Sequence, residues 1–331
     1  MIIQKTQLPE PPKLRFKEKF VTVCRTLHLS IHTQRSYLAW AVRFIQYHKS
    51  KSEDDLLADP QKKFAAFIGA EAKRGISAGT QSQAFNALVF LYQRVLGIQL
   101  GQLPEIERAK RPARLPGVPA THADTMAILE QIHGDIGLAL RLTYGTAMRV
   151  SETLRLRIRD LDFARGEIRI HGGKGDKDGV VGLPASLAGE LKALVKRRIL
   201  QHEADECGGA GWVHLPHLLA VKYPKAAHAT EWQHLFGSRT ISVDPVTKNR
   251  GRHHLTPEAL QQAMRQACAK LKMVVKVSPH GLRHSSAREM ERRGSPISEI
   301  QKCLRHSDID TTMRYLGAGT GGKPKVNGPL D

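Results

Sequence analysis

Two short stretches near the C-terminus place arginine and histidine side by side. The first reads HGLRH from His280 to His284, and the second reads LRHSDIDTTMRY from Leu304 to Tyr315. Guanidinium groups bind the non-bridging oxygens of a phosphate bidentately, so this alternation suits phosphate chemistry. On a helix, His280 and Arg283 fall within one turn, where one phosphate can meet both side chains. His280 and His284 also have the spacing of a zinc pair, but no glutamate stands where a metalloprotease needs one.

Two more basic residues lie upstream in settings that fit the same chemistry. Arg149 follows a turn in the stretch GTAMRVSE, where a helix is expected to begin. Lys174 lies between glycines at the tip of a predicted β-hairpin, where its side chain is free to swing over a bound strand. Taken singly, each residue is better explained as a solvated surface charge. Their joint order along the chain is what indicates a function.

The order Arg, Lys, His-x-x-Arg, His, Tyr resembles the pattern of the tyrosine recombinase (phage integrase) family, and the resemblance covers nearly the whole chain. The nine-residue step from His306 to Tyr315 fits that pattern as well. The resemblance implies a site-specific recombinase that cuts and rejoins DNA. It assigns the catalytic positions to Arg149, Lys174, His280, Arg283, His306 and Tyr315.

The same resemblance implies a reaction scheme in which Tyr315 attacks a phosphodiester and forms a 3′-phosphotyrosyl link. A phenol with a pKa of about 10 is a poor nucleophile at neutral pH, so it needs a base, and His280 is the candidate. Lys174 protonates the leaving 5′-oxygen, while the arginines and His306 stabilise charge on the phosphate. No metal, cofactor or ATP is expected. Because strand exchange joins two sites, the expected assembly is a homotetramer on DNA.

Residues 215–256 form a block that ordinary family members lack, with the segments KYPKAAHATEWQHLF, SRTISVDP and RGRHHL. This block looks like the insert of integron integrases, which binds bases that bulge out of a folded single-stranded site. Trp232, His253 and His254 match the base-binding residues of that motif, and a tryptophan face contributes about 1–3 kcal/mol per stacked base. The residues alone favour a core Trp232 and a solvated histidine pair. The likeness instead implies integration and excision of gene cassettes at folded sites.

Several positions depart from the usual family pattern without removing a catalytic side chain. Arg305 stands where a glycine usually precedes His306, and Gly179 stands where a basic residue usually follows Lys-Asp. Ala147 replaces a common second glycine in the turn before Arg149. The remaining departures are Gly237, Ser286, Leu316 and Gly317. They put efficient activity and the docking of the C-terminal segment in doubt, rather than the type of reaction.

Three alternatives remain open at this point. The first is a phage-type or Xer-type recombinase that acts on duplex sites, against which the insert argues. The second is a catalytically inactive DNA-binding protein of the same fold, against which the full catalytic set argues. The third, a type IB topoisomerase, shares the chemistry but fits the helical N-terminal region and the insert poorly.

Most of the elements that must position these residues are predicted to be helical. Up to about residue 97, apolar residues recur at three- and four-residue spacing, and aromatic residues such as Trp40 and Phe44 are expected in the core. Ser30 or Thr33 is expected to cap the first of these helices and Thr80 the last. Further helices are predicted over 123–131, 136–144, 185–200, 257–271, 282–293 and 297–305. β-Branched residues around a glycine-rich turn predict a hairpin of strands 166–170 and 180–183.

The predicted fold class is therefore mainly α with a small β-sheet. The resemblance implies a helical, SAM-like core-binding domain followed by an α/β catalytic domain. The expected division is an N-terminal arm (1–13), the core-binding domain (14–103), a basic proline-rich linker (104–120), the catalytic domain (121–318) and a tail (319–331).

The charge of the chain points to a polyanionic partner. Its 331 residues include 51 Lys and Arg against 31 Asp and Glu. The excess is spread evenly, with 19 basic and 9 acidic residues up to position 119 and 32 and 22 beyond it, so both halves are suited to face one DNA molecule. Four scattered cysteines and the lack of a secretory or membrane segment predict a cytoplasmic protein. The resemblance implies that it is bacterial and associated with the nucleoid.

Overall fold

Amphipathic helices build the first of two units, which divide between Leu115 and Pro116. The computed structural model describes residues 16–27, 29–103, 105–106, 109, 120–171, 178–215, 219–245, 247–273 and 277–316. In the first unit the helices are α1 (Phe16–Thr26), α2 (Ile31–His48), α3 (Glu53–Leu57), α4 (Pro60–Lys73) and α5 (Ala78–Phe90), the last continuing into a π-helical turn (Leu91–Val95).

Aromatic residues form much of the core of this unit, as predicted. Trp40, Phe44, Phe67 and Tyr92 are all buried, and the rings of Phe44 and Phe67 meet edge to face at 5.4 Å. Such pairs contribute beyond their buried area, so the aromatic stripes stabilise the helix packing. These four buried rings are not available as a stacking surface for bases.

Serines cap two of these helices. The Ser30 hydroxyl accepts the backbone N–H of Thr33 at the start of α2, which agrees with the prediction. The predicted cap Thr80 is wrong, because Ser77 is the N-cap of α5 and accepts the backbone N–H of Thr80. Serine and threonine three residues apart offer two candidates, and only the backbone geometry at Ser77 decides between them.

The second unit is also mainly helical. Its helices are α6 (His122–Glu130), α7 (Gly134–Thr146), α8 (Val150–Arg155), α9 (Ala188–Cys207), α10 (Leu219–Lys222), α11 (Pro257–Lys270), α12 (Pro279–Arg292), α13 (Ile297–Leu304) and α14 (Ile309–Leu316). Its strands are β1 (Leu161–Asp162), β2 (Glu167–Ile170), β3 (Gly179–Gly182), β4 (Ser242–Val243) and β5 (Arg250–Gly251). The predicted helices all occur, although α9 runs seven residues further than expected, to Cys207.

The predicted hairpin is present as the antiparallel pair of β2 and β3. Ile168 faces Val181 and Ile170 faces Gly179 across the pair, and β1 joins the other edge of β2. Ile168 and Ile170 point into the core, while Arg169 between them is exposed. The turn at 172–177, which carries Lys174, lies outside the described residues, as do the predicted arm, most of the predicted linker and the predicted tail.

Two apolar clusters hold the C-terminal helices in place. The larger one includes residues of α7 and α12, such as Leu138 and Leu282, and α12 packs along α7. A smaller one joins Ala147 to Ile300, Leu304 and Leu316 of α13 and α14. The helices that carry the C-terminal motifs therefore pack onto α12 and the turn after α7. Among the described helices, none combines the length and the apolar character needed to cross a membrane.

Candidate active site

The turn after α7 presents Arg149 at the start of α8. Ala147 takes a left-handed conformation with φ of 52°, which ends α7 at the position where the sequence departs from the usual glycine. The backbone N–H of Arg149 donates to Oε2 of Glu152 at 2.8 Å, and its Nη1 donates to Oε1 at 2.6 Å. Glu152 is almost fully buried, so this carboxylate fixes the guanidinium close to the backbone of its own helix.

Arg283 lies in the second turn of α12, whose first turn is capped by Ser278 and begins with Pro279. Its side chain is buried, with only 2% of the residue exposed. Nη1 donates to the carbonyl of Ala147 at 2.7 Å, and Nη2 donates to the carbonyl of Leu304. Burial, and then the charge of Arg149, lower the pKa of Arg283 to about 10, so the guanidinium remains charged at neutral pH. One side chain thus ties the turn after α7 to the end of α13.

Tyr315 lies on α14 between two histidine rings. The His284 ring stacks on the phenol with centroids 3.4 Å apart, and the His306 ring meets it edge-on at 5.4 Å. The Tyr315 hydroxyl is buried, and the described part of the chain provides it with no hydrogen bond of good geometry. Burial raises its pKa, while the nearby charges of Arg283 and Arg149 act in the opposite direction. The net result is a raised pKa, and the two arginine charges reduce the cost of forming the phenolate.

His306 joins the same group through both of its ring nitrogens. Nε2 lies 3.4 Å from Nη2 of Arg283, and Nδ1 lies 3.0 Å from the hydroxyl of Thr312. Because a guanidinium can only donate, Nε2 accepts and the proton resides on Nδ1, toward Thr312. His306 therefore has a defined orientation beside the phenol.

The structure brings four of the six predicted catalytic residues together: Arg149, Arg283, His306 and Tyr315. The His280 ring packs against the His284 ring, with centroids 5.8 Å apart, and it is His284 that stacks on Tyr315. Burial, Arg283 and Arg149 lower the pKa of His280, so its imidazole is neutral at pH 7. The sixth residue, Lys174, lies outside the described part of the chain.

Sequence reasoning assigned no role to three residues that line this cluster: Glu152, His284 and Arg305. Glu152 had a local signal, because it stands three residues after Arg149 at the start of a helix, where a carboxylate accepts N-terminal N–H groups. His284 was visible only as part of HGLRH. The sequence marked Arg305 only as a departure from the usual family pattern. In the structure its Nη2 donates to Oε2 of Glu152.

The residues predicted to bind bases fall into two separate ring groups. Trp232 is half-buried at an open cavity of about 760 Å³, which is also lined by Arg159, Lys222, Tyr223 and Lys225. The guanidinium of Arg159 lies 4.1 Å from the centroid of the Trp232 ring, a cation–π contact. Trp232 therefore lies at the edge of a cavity and not in the core, where its residue type alone had placed it.

His253 and His254 form the second group with His234. The rings of His253 and His254 are 4.0 Å apart, and the His234 ring lies 5.7 and 5.2 Å from them. His253 is exposed, whereas burial lowers the pKa of His254 to about 4. Arg157 lies between the two groups, since it donates to the carbonyl of Trp232 at 2.5 Å and its charge also acts on His254.

Comparison with known proteins places both units in one family. Residues 121–319 match the phage integrase family, and residues 16–102 match the N-terminal SAM-like domain of phage integrases. An integrase/recombinase from Escherichia coli is 37% identical over 307 residues, which cover 93% of this chain and 90% of that protein. Tyrosine recombinase XerA from Pyrococcus furiosus is 27% identical over 303 residues, covering 90% and 87%.

Solved structures show the same fold at lower identity. A lambda integrase fragment, solved as a dimer bound to a core site, aligns with a TM-score of 0.58 at 14% identity and covers 91% of this chain and 94% of that one. XerH recombinase bound to its difH substrate aligns with a TM-score of 0.56 at 18% identity, covering 91% and 80%.

The two matches together cover nearly the whole chain, and the chain belongs to the phage integrase family. Within that family it is a tyrosine recombinase, an enzyme of site-specific recombination. The predicted fold class, mainly α with a small β-sheet, is confirmed, as is the predicted family, and the described residues add a second, two-stranded sheet.

Proposed function

We propose that this recombinase cleaves and rejoins DNA through a 3′-phosphotyrosyl intermediate on Tyr315. The observation that carries the proposal is the position of the Tyr315 hydroxyl, buried beside Arg283 and near Arg149. A scissile phosphate that reaches this hydroxyl meets two guanidinium groups. Their charge stabilises the equatorial oxygens of the transition state, and the chemistry needs no group from outside the chain.

Proton transfer is assigned to His280 and Lys174. His280 is the general base in this proposal, because a lowered pKa keeps its imidazole neutral. Since His284 rather than His280 stacks on Tyr315 in the free chain, the transfer requires His280 to move toward the phenol when DNA binds. Lys174 is the general acid that protonates the leaving 5′-oxygen. His306 donates to a phosphate oxygen in the tautomer that carries the ring proton on Nε2, in which Nδ1 accepts from the hydroxyl of Thr312 instead of donating to it. The phosphotyrosyl bond conserves the free energy of the phosphodiester, and the 5′-hydroxyl of a second strand reverses the attack.

A nicked suicide substrate tests this reaction. The site is first selected by the full chain from a randomised oligonucleotide library and is then nicked, so that the short strand released by cleavage diffuses away. The unsubstituted chain is expected to accumulate a covalent protein–DNA adduct, and Tyr315→Phe is expected to form none. If both chains bind the site and neither traps it, the protein is a DNA-binding protein of this fold that lacks cleavage activity.

We further propose that the substrate is a folded single strand from which gene cassettes are integrated and excised. The support is the cavity beside Trp232, which is open, lined by Tyr223, Arg159 and two lysines, and large enough for a nucleobase. Arginine planes and aromatic faces both stack on bases, and only an unpaired base is free to enter such a site. Since Trp232 and the pair of His253 and His254 lie in separate groups, each group receives a different base.

A comparison of binding to the folded strand and to the matching duplex tests this specificity. The folded strand is expected to bind more tightly, and Trp232→Ala to weaken its binding by about 5- to 150-fold while duplex affinity changes little. Trp232→Phe, which keeps a stacking face, is the matched control and is expected to lose less. Equal affinity, or a preference for duplex, would instead assign the protein to duplex sites, like the recombinases of the phage and Xer types.

We also propose a cellular setting, an assembly and a domain division for this recombinase. The chain acts in the bacterial cytoplasm on nucleoid DNA, and four protomers assemble on two sites during strand exchange. The boundaries at 14–103, 104–120 and 121–318 divide it into a core-binding domain, a basic linker and a catalytic domain that carries the insert at 215–256. Mass measurement of the complex with two selected sites tests the tetramer.

A further inference from the structure

Arg305 is held in a conformation that glycine adopts more readily. It is the C-cap of α13, with φ of 50° and ψ of 46°, and its backbone N–H donates to the carbonyls of Gln301 and Lys302. Left-handed backbone is unfavourable for a residue with a Cβ atom, which is why glycine is common at this position of a helix. Other non-glycine residues of the described chain share this backbone conformation, so the contacts of the Arg305 side chain decide what it contributes.

The side chain of Arg305 runs directly over Gly179 at the start of β3. A Cβ atom at position 179 would lie 2.7 Å from Cδ of Arg305 and 3.6 Å from its Nε. Gly179 does not have a positive φ, so its backbone conformation does not require glycine. The space that a side chain would fill at Gly179 is needed by Arg305. The two departures from the usual sequence pattern are thus one coupled change.

The guanidinium of Arg305 ends on the carboxylate that also holds Arg149. Nη2 of Arg305 donates to Oε2 of Glu152, while Oε1 accepts from Nη1 of Arg149 at 2.6 Å. The side chains of Glu152 and Arg305 are only 6% and 15% exposed, so water screens the contact weakly. Glu152 alone would cancel the charge of Arg149. With Arg305 present, the three side chains keep one net positive charge, and Arg283 adds a second close by.

We infer that Arg305 is a positioning residue of the cleavage site, which holds Glu152 and restores the positive charge that Glu152 removes from Arg149. It also links the segment that carries His306 and Tyr315 to the start of α8, where Arg149 lies. The inference rests on the proposed reaction at Tyr315. It assigns Arg305 to the chemical step rather than to DNA affinity, because its guanidinium is committed to a buried carboxylate.

Substitutions at Arg305 in the full chain separate its charge from its shape. Arg305→Met keeps a long stem over Gly179 but removes the guanidinium, and is expected to slow single-turnover cleavage of the nicked, selected site by about 10- to 100-fold at saturating protein. DNA affinity is expected to stay within about twofold. Arg305→Lys keeps the charge and is expected to recover most of the rate. Lys302→Met, which removes an exposed charge from the same helix, is the matched control and is expected to cleave at the original rate.

Gly179→Ala provides an independent test that leaves Arg305 itself unchanged. Its Cβ displaces the Arg305 side chain from Glu152, so the rate is expected to fall to a similar extent. Because both substitutions break one contact, their effects are expected not to add in the double variant Gly179→Ala/Arg305→Met. Thermal unfolding and DNA binding of each variant show whether the chain is folded. If Arg305→Met alone unfolds the chain, the Gly179→Ala rate decides.

The outcomes distinguish this inference from the proposed function. Absence of an adduct from the unsubstituted chain overturns both. An adduct formed at equal rates by the unsubstituted chain and by Arg305→Met overturns the role of Arg305 alone. Equal slowing by Arg305→Lys and Arg305→Met overturns the role of its charge.

Discussion

Replacement of Arg283 by methionine tests how a buried guanidinium contributes to the fold of the second unit. The substitution keeps most of the aliphatic stem and removes the donors to the carbonyls of Ala147 and Leu304. Leaving a buried acceptor without its donor costs about 1–3 kcal/mol, so two carbonyls together cost about 2–6 kcal/mol.

A second effect opposes this loss. Burial and Arg149 lower the pKa of Arg283 to about 10, which means that the environment disfavours the charged form by about 3 kcal/mol. Removing the charge recovers part of this free energy. We therefore expect Arg283→Met to lower the free energy of unfolding by about 1–3 kcal/mol. The loss from two unpaired carbonyls exceeds the free energy recovered by removing the buried charge, so the net effect is destabilising but smaller than the loss of two hydrogen bonds alone.

Urea denaturation followed by tryptophan fluorescence measures the effect, because Trp212 and Trp232 lie in the second unit and Trp40 in the first. Arg288→Met, an exposed position on the same helix, is the control and is expected to change stability by less than about 0.5 kcal/mol. A variant at Arg283 that is as stable as the unsubstituted chain, or more stable, would refute the reasoning. It would show that the two carbonyls do not depend on this side chain.

Three other predictions concern stability. Tyr315→Phe removes a buried hydroxyl that lies beside the Arg283 guanidinium without a hydrogen bond of good geometry, so calorimetry is expected to find the free energy of unfolding changed by less than about 1 kcal/mol. A clear loss would show that the contact with Arg283 is a full hydrogen bond. The pKa of His254 is about 4 in the folded chain, compared with 6.5 for an ordinary histidine, so between these pH values the folded state binds fewer protons than the unfolded state. The free energy of unfolding is therefore expected to fall as the pH decreases from about 6.5 to 4, and His254 contributes at most about 3 kcal/mol to this fall. Denaturation of His254→Asn across that range is expected to show a shallower decline, and an equal decline would contradict the assignment. Gly137→Ala places a Cβ atom 1.9 Å from the carbonyl oxygen of Ile132 and is expected to lower the free energy of unfolding by at least about 2 kcal/mol. Gly189→Ala places its Cβ atom in open space and is expected to stabilise α9 by up to about 1 kcal/mol. Similar melting temperatures for these two glycine variants would contradict that contrast.

Local patterns in the sequence predicted the elements but not their partners. Three- and four-residue spacing located the helices, and alternation around glycines located the hairpin of β2 and β3. Such patterns extend over a few residues only, and they show which face of a helix or strand is buried. The choice of Ser77 over Thr80 as a cap, and the extension of α9 to Cys207, depended on backbone geometry that such patterns leave open.

The candidate site depends on contacts between distant parts of the chain. Arg283 reaches Ala147 across 136 residues, and Arg305 reaches Glu152 across 153. Neither residue type nor spacing encodes such a contact, because it exists only after α7, α12 and α13 have packed. For the same reason, the stacking of His284 on Tyr315 and the position of Arg159 over Trp232 were not predicted.

The sequence by itself determined the family, the helical class and the order of the residues that carry the chemistry, because these follow from residue types at short spacing. Only the tertiary structure decided that Arg305 and Gly179 form one coupled change and that Glu152 is shared by two arginines. The physical reason is that charge and close packing act through space. A guanidinium near the chain end therefore acts on a carboxylate in α8 once folding has brought them together.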